Sequence, residues 1–195
     1  MSLPRRIVIA TKNPDKAAEM RSVLADAVPT TTVVEGLDWP NVEETGATLE
    51  ENALLKARAV AEATGVAAVA DDTGLEVEAL GGAPGVHTAR FAGPSATYAA
   101  NRRALLEALD GRNDRSARFR TVIALAEPGG SEVTVEGVLE GTITRSERGS
   151  GGFGYDPIFE VDGRTLAEIP GEDKNRISHR GRALRALADR LAGLI

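Results

Sequence analysis

The chain contains no cysteine. That excludes a disulfide framework and thiolate chemistry, and it fits a reducing compartment. Histidine is nearly as scarce, with 2 copies in 195 residues, so a metal centre needing several His or Cys ligands is excluded too. No apolar run approaches the roughly 18 residues of a membrane span, and the N-terminus lacks a charged region followed by a long apolar core. A cytoplasmic protein with neither membrane anchor nor secretory signal is expected, and Ser2 and Leu3 carry no weight. Basic residues are in deficit, 23 Lys plus Arg against 29 Asp plus Glu, for a formal net charge of −6. Gripping a nucleic acid polymer needs a basic stripe, so that partner is not expected. A small anionic ligand in a local basic pocket stays open. Internal repeats, linkers and low-complexity segments are absent.

What is present is an ordinary α/β composition, 42% hydrophobic and dominated by Ala, Leu and Val. The length fits one domain over 1–195, large enough to bury a core. Short β-branched runs predict strands over 6–10 and 31–34. Between them 14–28 reads as a helix with Pro14 in its first turn. Thr48 and Glu51 have capping-box spacing, which opens a helix running to about Thr64 with Gly65 as its stop. Strands are predicted over 66–70 and 75–80, on either side of an acidic turn, with a loop over 81–85 and a helix over 96–109. Longer strands over 118–126 and 132–144 are joined by Pro128-Gly129-Gly130, a hairpin signal. A glycine-rich loop over 149–154 precedes the last helix, 178–191, with Ser178 as its cap. This alternation implies a mixed sheet flanked by helices.

The most informative segment is Ala70-Asp71-Asp72-Thr73-Gly74. Desolvating an unpaired carboxylate is costly, so acids where a buried strand opens into a loop point to a hard, oxygen-loving cation such as Mg²⁺. Glu43 and Glu44 could add a carboxylate from another loop; the residues alone do not separate the two. Thr11-Lys12-Asn13-Pro14-Asp15-Lys16 joins the first strand to its helix. Its helix-start N–H groups, hydroxyl, amide and ammonium groups would suit a phosphate. Phe153 and Tyr155 lie in the run Gly152-Phe153-Gly154-Tyr155-Asp156, in a chain only 4% aromatic. An aromatic face there can stack on a nucleobase while glycines let backbone approach. Lys174, His179 and Arg180 gather at the entry to the last helix, and His87 reads as structural or surface.

Together the segments IVIATKNPDK, EETGATLEENALLKA, ADDTGLEVEALGGAPGVHTARFAG, GGFGYDPIF and EDKNRISHRG resemble the inosine triphosphate pyrophosphatase family, the RdgB-like purine nucleoside triphosphate pyrophosphatases. The resemblance spans 6–181. It implies a two-lobed α/β domain with a central mixed sheet and a cleft between lobes, usually in a homodimer. It implies Mg²⁺-dependent hydrolysis of ITP, dITP and XTP to the monophosphate plus pyrophosphate. On matching positions, Thr11, Lys12, Asn13, Pro14, Asp15, Lys16 and Lys56 would hold the triphosphate. Asp72 would be the catalytic carboxylate and metal ligand, with Thr73 beside it and Glu44, in preference to Glu43, completing the metal site. Phe153, Gly154, Tyr155, Asp156, Lys174, His179 and Arg180 would surround the base, and Arg90 is a further candidate for the phosphate or substrate site. Lys12 and His87-Thr88 depart from the family's usual residues, which bears on substrate fine-tuning.

Hypoxanthine and xanthine carry an acceptor oxygen where adenine carries an amino donor, so donors from Arg180, His179 or backbone N–H groups would select the former. The alternatives are a Maf-like pyrimidine nucleotide pyrophosphatase, against which GGFGYD and SHR count, a non-hydrolytic nucleotide-binding module, and a structural dimer module.

Overall fold

A computed structural model of the chain describes residues 4–193; Ser2 and Leu3 lie outside them. The elements in chain order are β1 (Arg6–Ile9), α1 (Pro14–Ala27), β2 (Thr32–Val33), α2 (Leu49–Thr64), β3 (Ala67–Val77), β4 (Pro84–Gly85), α3 (Tyr98–Ala108), β5 (Ser116–Ala126), β6 (Glu132–Ile143), β7 (Phe159–Val161), β8 (Arg164–Thr165), α4 (Gly171–Ile177) and α5 (His179–Leu191). They form an open mixed sheet flanked by helices, in the order β2-β1-β3-β5-β6-β7-β8, with β4 paired to β3. β1 runs parallel to β2 and β3, whereas β7 is antiparallel to β6 and β8.

The described chain divides into two compact units. The first holds residues 4–72, 121–137 and 179–193. Its core joins Ile7 and Ile9 of β1, Met20, Val23 and Leu24 of α1, Val69 of β3, Ile123 and Leu125 of β5, and Leu184 and Leu187 of α5. The helices form where local chemistry dictates. The Asn13 side chain accepts from Asp15 N and Lys16 N to cap α1, with Pro14 at its start. The capping box on α2 is complete, and Gly65 ends that helix in the left-handed conformation at φ 66°. The second unit holds 73–120 and 138–178. Leu75, Leu105, Leu109, Phe119, Leu139, Ile143, Ile158, Phe159 and Leu166 make its core.

The acidic turn expected between strands 66–70 and 75–80 is not a turn. β3 runs unbroken through Asp71, Asp72, Thr73 and Gly74, because both carboxylates find cationic partners and neither needs solvent. α3 starts at Tyr98 rather than 96, since the Thr97 hydroxyl accepts from Ala100 N and caps it. The last helix begins at His179, and Ser178, extended at ψ 153°, separates it from α4. The hairpin at Pro128-Gly129-Gly130 forms, closed by Glu127 N donating to Ser131 O at 2.8 Å. β7, β8 and α4 were not expected from the sequence. Asp162 and Gly163, at φ 51° and 82°, form the two-residue turn between β7 and β8, a signal the sequence carries.

β6 passes close to α5 at Gly137, where a Cβ would lie 2.2 Å from His179 O and 2.5 Å from Ala183 N. Both neighbours are backbone and cannot swing aside. Gly137→Ala is expected to destabilise the fold by about 1–3 kcal/mol or more. Gly171→Ala, with nothing within 4 Å, should be neutral. Thermal denaturation of the two variants checks the contrast.

Candidate functional site

Asp71 and Asp72 are both buried, at 1% and 7% exposure, and successive strand residues point to opposite faces. Their partners differ accordingly. Asp71 Oδ2 lies 3.0 Å from Lys16 Nζ of α1, and the Arg180 Nη2 and Nε of α5 donate to it at 3.0 and 3.2 Å. Arg180 also pairs with Glu19 of α1. Asp72 Oδ1 accepts from Lys56 Nζ of α2 at 3.0 Å, and the same ammonium reaches Glu44 Oε1 at 2.6 Å. Both neighbouring glutamates are exposed, and it is Glu44 whose carboxylate meets that cation.

Asn52, missed in the sequence, sits one turn before Lys56 on α2 and is buried. Its Nδ2 donates to Asp72 Oδ2 at 3.4 Å while its Oδ1 accepts from Gly46 N at 2.8 Å. It thereby ties the loop carrying Glu44 to the strand carrying Asp72. A polar residue on the apolar stripe of α2, four positions from Lys56, was the available signal.

The two carboxylates titrate in opposite directions. Burial alone would raise Asp71, but Lys16, Arg180 and Lys56 hold it well below the usual carboxylate range. For Asp72 burial prevails over Lys56 and Lys16, with Glu44 adding repulsion, so its carboxyl is raised. Burial would lower Lys56, yet Asp72, Asp71 and Glu44 carry it above its ordinary value.

Beside this network a pocket of about 250 Å³ is lined by Thr11, Lys12, Asn13, Lys16, Trp39, Asn41, Glu44 and Lys56, among others. The N–H groups of Asp15 and Lys16 are engaged by Asn13, and Pro14 has none. The positive groups this turn offers an anion are thus the side chains of Lys12 and Lys16. Lys12 Nζ donates to Asn41 Oδ1 at 2.8 Å, and Asp15 is exposed. Trp39 and Asn41 were not singled out in the sequence.

The glycine-rich segment belongs to the second unit. Asp156, buried, accepts from Phe153 N at 2.7 Å and Lys174 Nζ at 2.6 Å, both at Oδ2. Lys174 Nζ also stands 4.9 Å from the centre of the Phe153 ring. Tyr155 is a core residue whose hydroxyl donates to Thr88 O at 2.9 Å, and burial raises its phenol well above the ordinary value. Thr73 continues β3, and Arg90 and His87 are exposed around a short 3₁₀ turn, Thr88–Arg90. His179 and Arg180 belong to the first unit and are buried. Arg180 is engaged by the carboxylates of Asp71 and Glu19.

Among the described residues no group of three or more His, Cys, Asp or Glu is arranged to hold a metal. Two carboxylates on one cation is nevertheless the donor set Mg²⁺ takes, since it fills its other positions with water and phosphate oxygens. Glu44 and Asp72, converging on the Lys56 ammonium, fit it.

A family model described as Ham1 family matches residues 7–190. The chain is 50% identical over 192 residues to the dITP/XTP pyrophosphatase of Geobacter sulfurreducens, covering 95% of this chain and 96% of the relative. It is 50% identical over 190 residues to the dITP/XTP pyrophosphatase of Streptomyces coelicolor, covering 93% and 94%. The solved HAM1 protein from Coxiella burnetii superposes with a TM-score of 0.86 at 45% identity, over 96% of this chain and 98% of that one.

Because the Asp71 carboxyl is held low, its contribution to stability is fully present above its unfolded value of about 3.9 and is lost as pH falls below it. The wild-type acid-unfolding curve should therefore bend in this range. Asp71→Asn should flatten that limb and cost about 3–5 kcal/mol at neutral pH by leaving Arg180 poorly paired. Denaturant midpoints measured between pH 2 and 7 check both.

Proposed function

The chain belongs to the Ham1 family, and from that premise we propose that it is a nucleoside triphosphate pyrophosphatase. It hydrolyses ITP, dITP and XTP to the monophosphate and pyrophosphate, and so clears deaminated purines from the nucleotide pool. The observation that carries the reading is the convergence of Glu44 and Asp72 on one cation, beside a pocket lined by Lys12, Lys16 and Lys56. The names of relatives about half identical over nearly the whole chain support it.

In this reading a water oxygen attacks the α-phosphorus, the bond to the bridging oxygen breaks, and pyrophosphate leaves. Asp72 orients the water and takes its proton. Lys16 and Lys56 offset charge on the phosphates and on the leaving group, with Thr11, Lys12 and Asn13 completing the triphosphate contacts. Mg²⁺, held by Glu44 and Asp72, would polarise phosphoryl oxygens and lower the pKa of bound water. Phe153 stacks on the purine, and Gly154 lets backbone approach it. Lys174, beside Phe153 in the second unit, supplies a donor for the 6-oxygen of hypoxanthine or xanthine. Adenine would leave such a donor unpaired. Arg180 contributes by holding Asp71 rather than by touching the base. We place the enzyme in the cytoplasm as a homodimer acting on small-molecule purine nucleotides. Among the described residues no helix is long and apolar enough to cross a membrane.

Pyrophosphate release should be strong with ITP, dITP and XTP, and about ten- to a hundredfold weaker with ATP, at roughly 1–3 kcal/mol per unpaired donor. EDTA should abolish it and added Mg²⁺ restore it. Asp72→Asn should keep the far-ultraviolet circular dichroism while lowering kcat by about 10²–10⁴-fold. Near-normal release from that variant would remove Asp72 from the chemistry.

A further inference from the structure

One face of α3 grips the glycine-rich segment that carries Phe153. Tyr98 and Arg102 are four residues apart on that helix, so their side chains leave the same face. The Arg102 Nη1 donates to Gly154 O at 2.8 Å. Its Nε lies 2.9 Å from Glu147 Oε1 and its Nη2 donates to Glu147 Oε2 at 3.1 Å. One guanidinium therefore holds both ends of the stretch from Glu147 to Gly154. The Tyr98 ring lies 5.9 Å from that of Phe153 at an interplanar angle of 41°, and Lys174 Nζ is 4.9 Å from the Phe153 ring centre.

The stretch needs such a clamp. Gly149, Gly151, Gly152 and Gly154 all fall within it, with φ of 77°, 67° and 61° at Gly149, Gly152 and Gly154. Glycine has the most backbone freedom to lose, so an unrestrained run of this kind would have to be ordered each time a ligand bound. Arg102 shares that work with Asp156, which accepts from Phe153 N, and with Ala167, whose carbonyl accepts from Gly151 N; its own side chain is only 15% exposed. The arrangement uses the width of a guanidinium, whose Nη1 and Nη2 donate at once to the Gly154 carbonyl and the Glu147 carboxylate.

We propose that Arg102, with Glu147 as its counter-ion, is a positioning residue for base recognition, and that Tyr98 sets the tilt of Phe153. This rests on the reading of Phe153 as the purine-stacking residue. Arg102 touches no reacting atom in that scheme; it prepares the surface the purine meets. Its loss should therefore be felt in base binding and not in phosphoryl chemistry.

The test compares wild type with Arg102→Met, Arg102→Lys and Glu147→Gln, measuring KM and kcat for ITP. It adds the inhibition constant of inorganic tripolyphosphate, which has phosphates and no base. Arg102→Met should raise KM about tenfold, as expected for losing charge-assisted hydrogen bonds. Its kcat should stay within about twofold and its tripolyphosphate constant should be unchanged. Arg102→Lys should not rescue KM. Glu147→Gln should raise KM by about threefold in the same pattern. Because the Glu147 side chain is 46% exposed, that variant carries the comparison if Arg102→Met does not fold.

An unchanged KM, or a KM and tripolyphosphate constant that rise together, overturns the positioning role. A wild type that leaves ITP intact overturns the functional reading and this role with it, whereas active wild type beside an unaffected Arg102→Met overturns this role alone.

Discussion

Consecutive carboxylates buried in the middle of a strand are the constraint around which the first unit is arranged. Asp71 and Asp72 point to opposite sides of β3, so the groups in direct contact with them differ. Asp71 is met by Lys16 from α1 and Arg180 from α5; Asp72 is met by Lys56 and Asn52 from α2. Each helix of that unit is thereby tied to one strand by a side chain, in addition to its apolar packing. α1 and α5 also pack together in the apolar core, and Glu19 binds the far side of the Arg180 guanidinium. Buried charge of this kind adds little net stability compared with well-packed apolar side chains, but breaking it is costly. Its consequence is registration: the strand and helices fit together only where the charges match.

The same arrangement separates two residues of identical chemistry. Asp71 faces more positive charge than its own burial can offset, so it stays ionised and acts as a fixed counter-ion. Asp72 shares Lys56 with Glu44, and burial tips it toward the neutral form. The two aspartates therefore hold a proton with different ease. That difference arises from neighbours contributed by different helices, not from the Asp-Asp dipeptide itself.

This explains where the sequence was legible. α1 and α2 could be placed because Asn13, Pro14, Thr48, Glu51 and Gly65 act within a turn of where they sit, and the β5–β6 hairpin because Gly129 and Gly130 do. Asp71 to Gly74 misled for the opposite reason. Aspartate and glycine favour turns locally, but the partner that holds Asp71 in a strand, Arg180, is 109 residues away. α4 lacks an apolar period, with Lys174 its one buried residue, so periodicity had nothing to register. Asp72 and the Glu43-Glu44 pair were marked by their carboxylates and Lys56 by family resemblance, and the structure gathers Glu44, Lys56 and Asp72. Arg180 was also named, yet its engagement with Asp71 and Glu19 could not be read from its place beside His179.

The proposed metal follows from charge as well as from resemblance. Around β3 the carboxylates of Glu19, Glu44, Asp71 and Asp72 face the cations of Lys16, Lys56 and Arg180, so the network is already short of positive charge. The adjoining pocket adds Lys12, which brings it only to balance. A triphosphate entering there would carry several further negative charges into a partly buried space, where their repulsion with Asp72 and Glu44 is strong. The ammonium of Lys56 cannot answer both the carboxylates and the phosphates. In the proposed reading Glu44 and Asp72 would hold a divalent cation, whose charge would offset that repulsion and leave Lys56 for the phosphates.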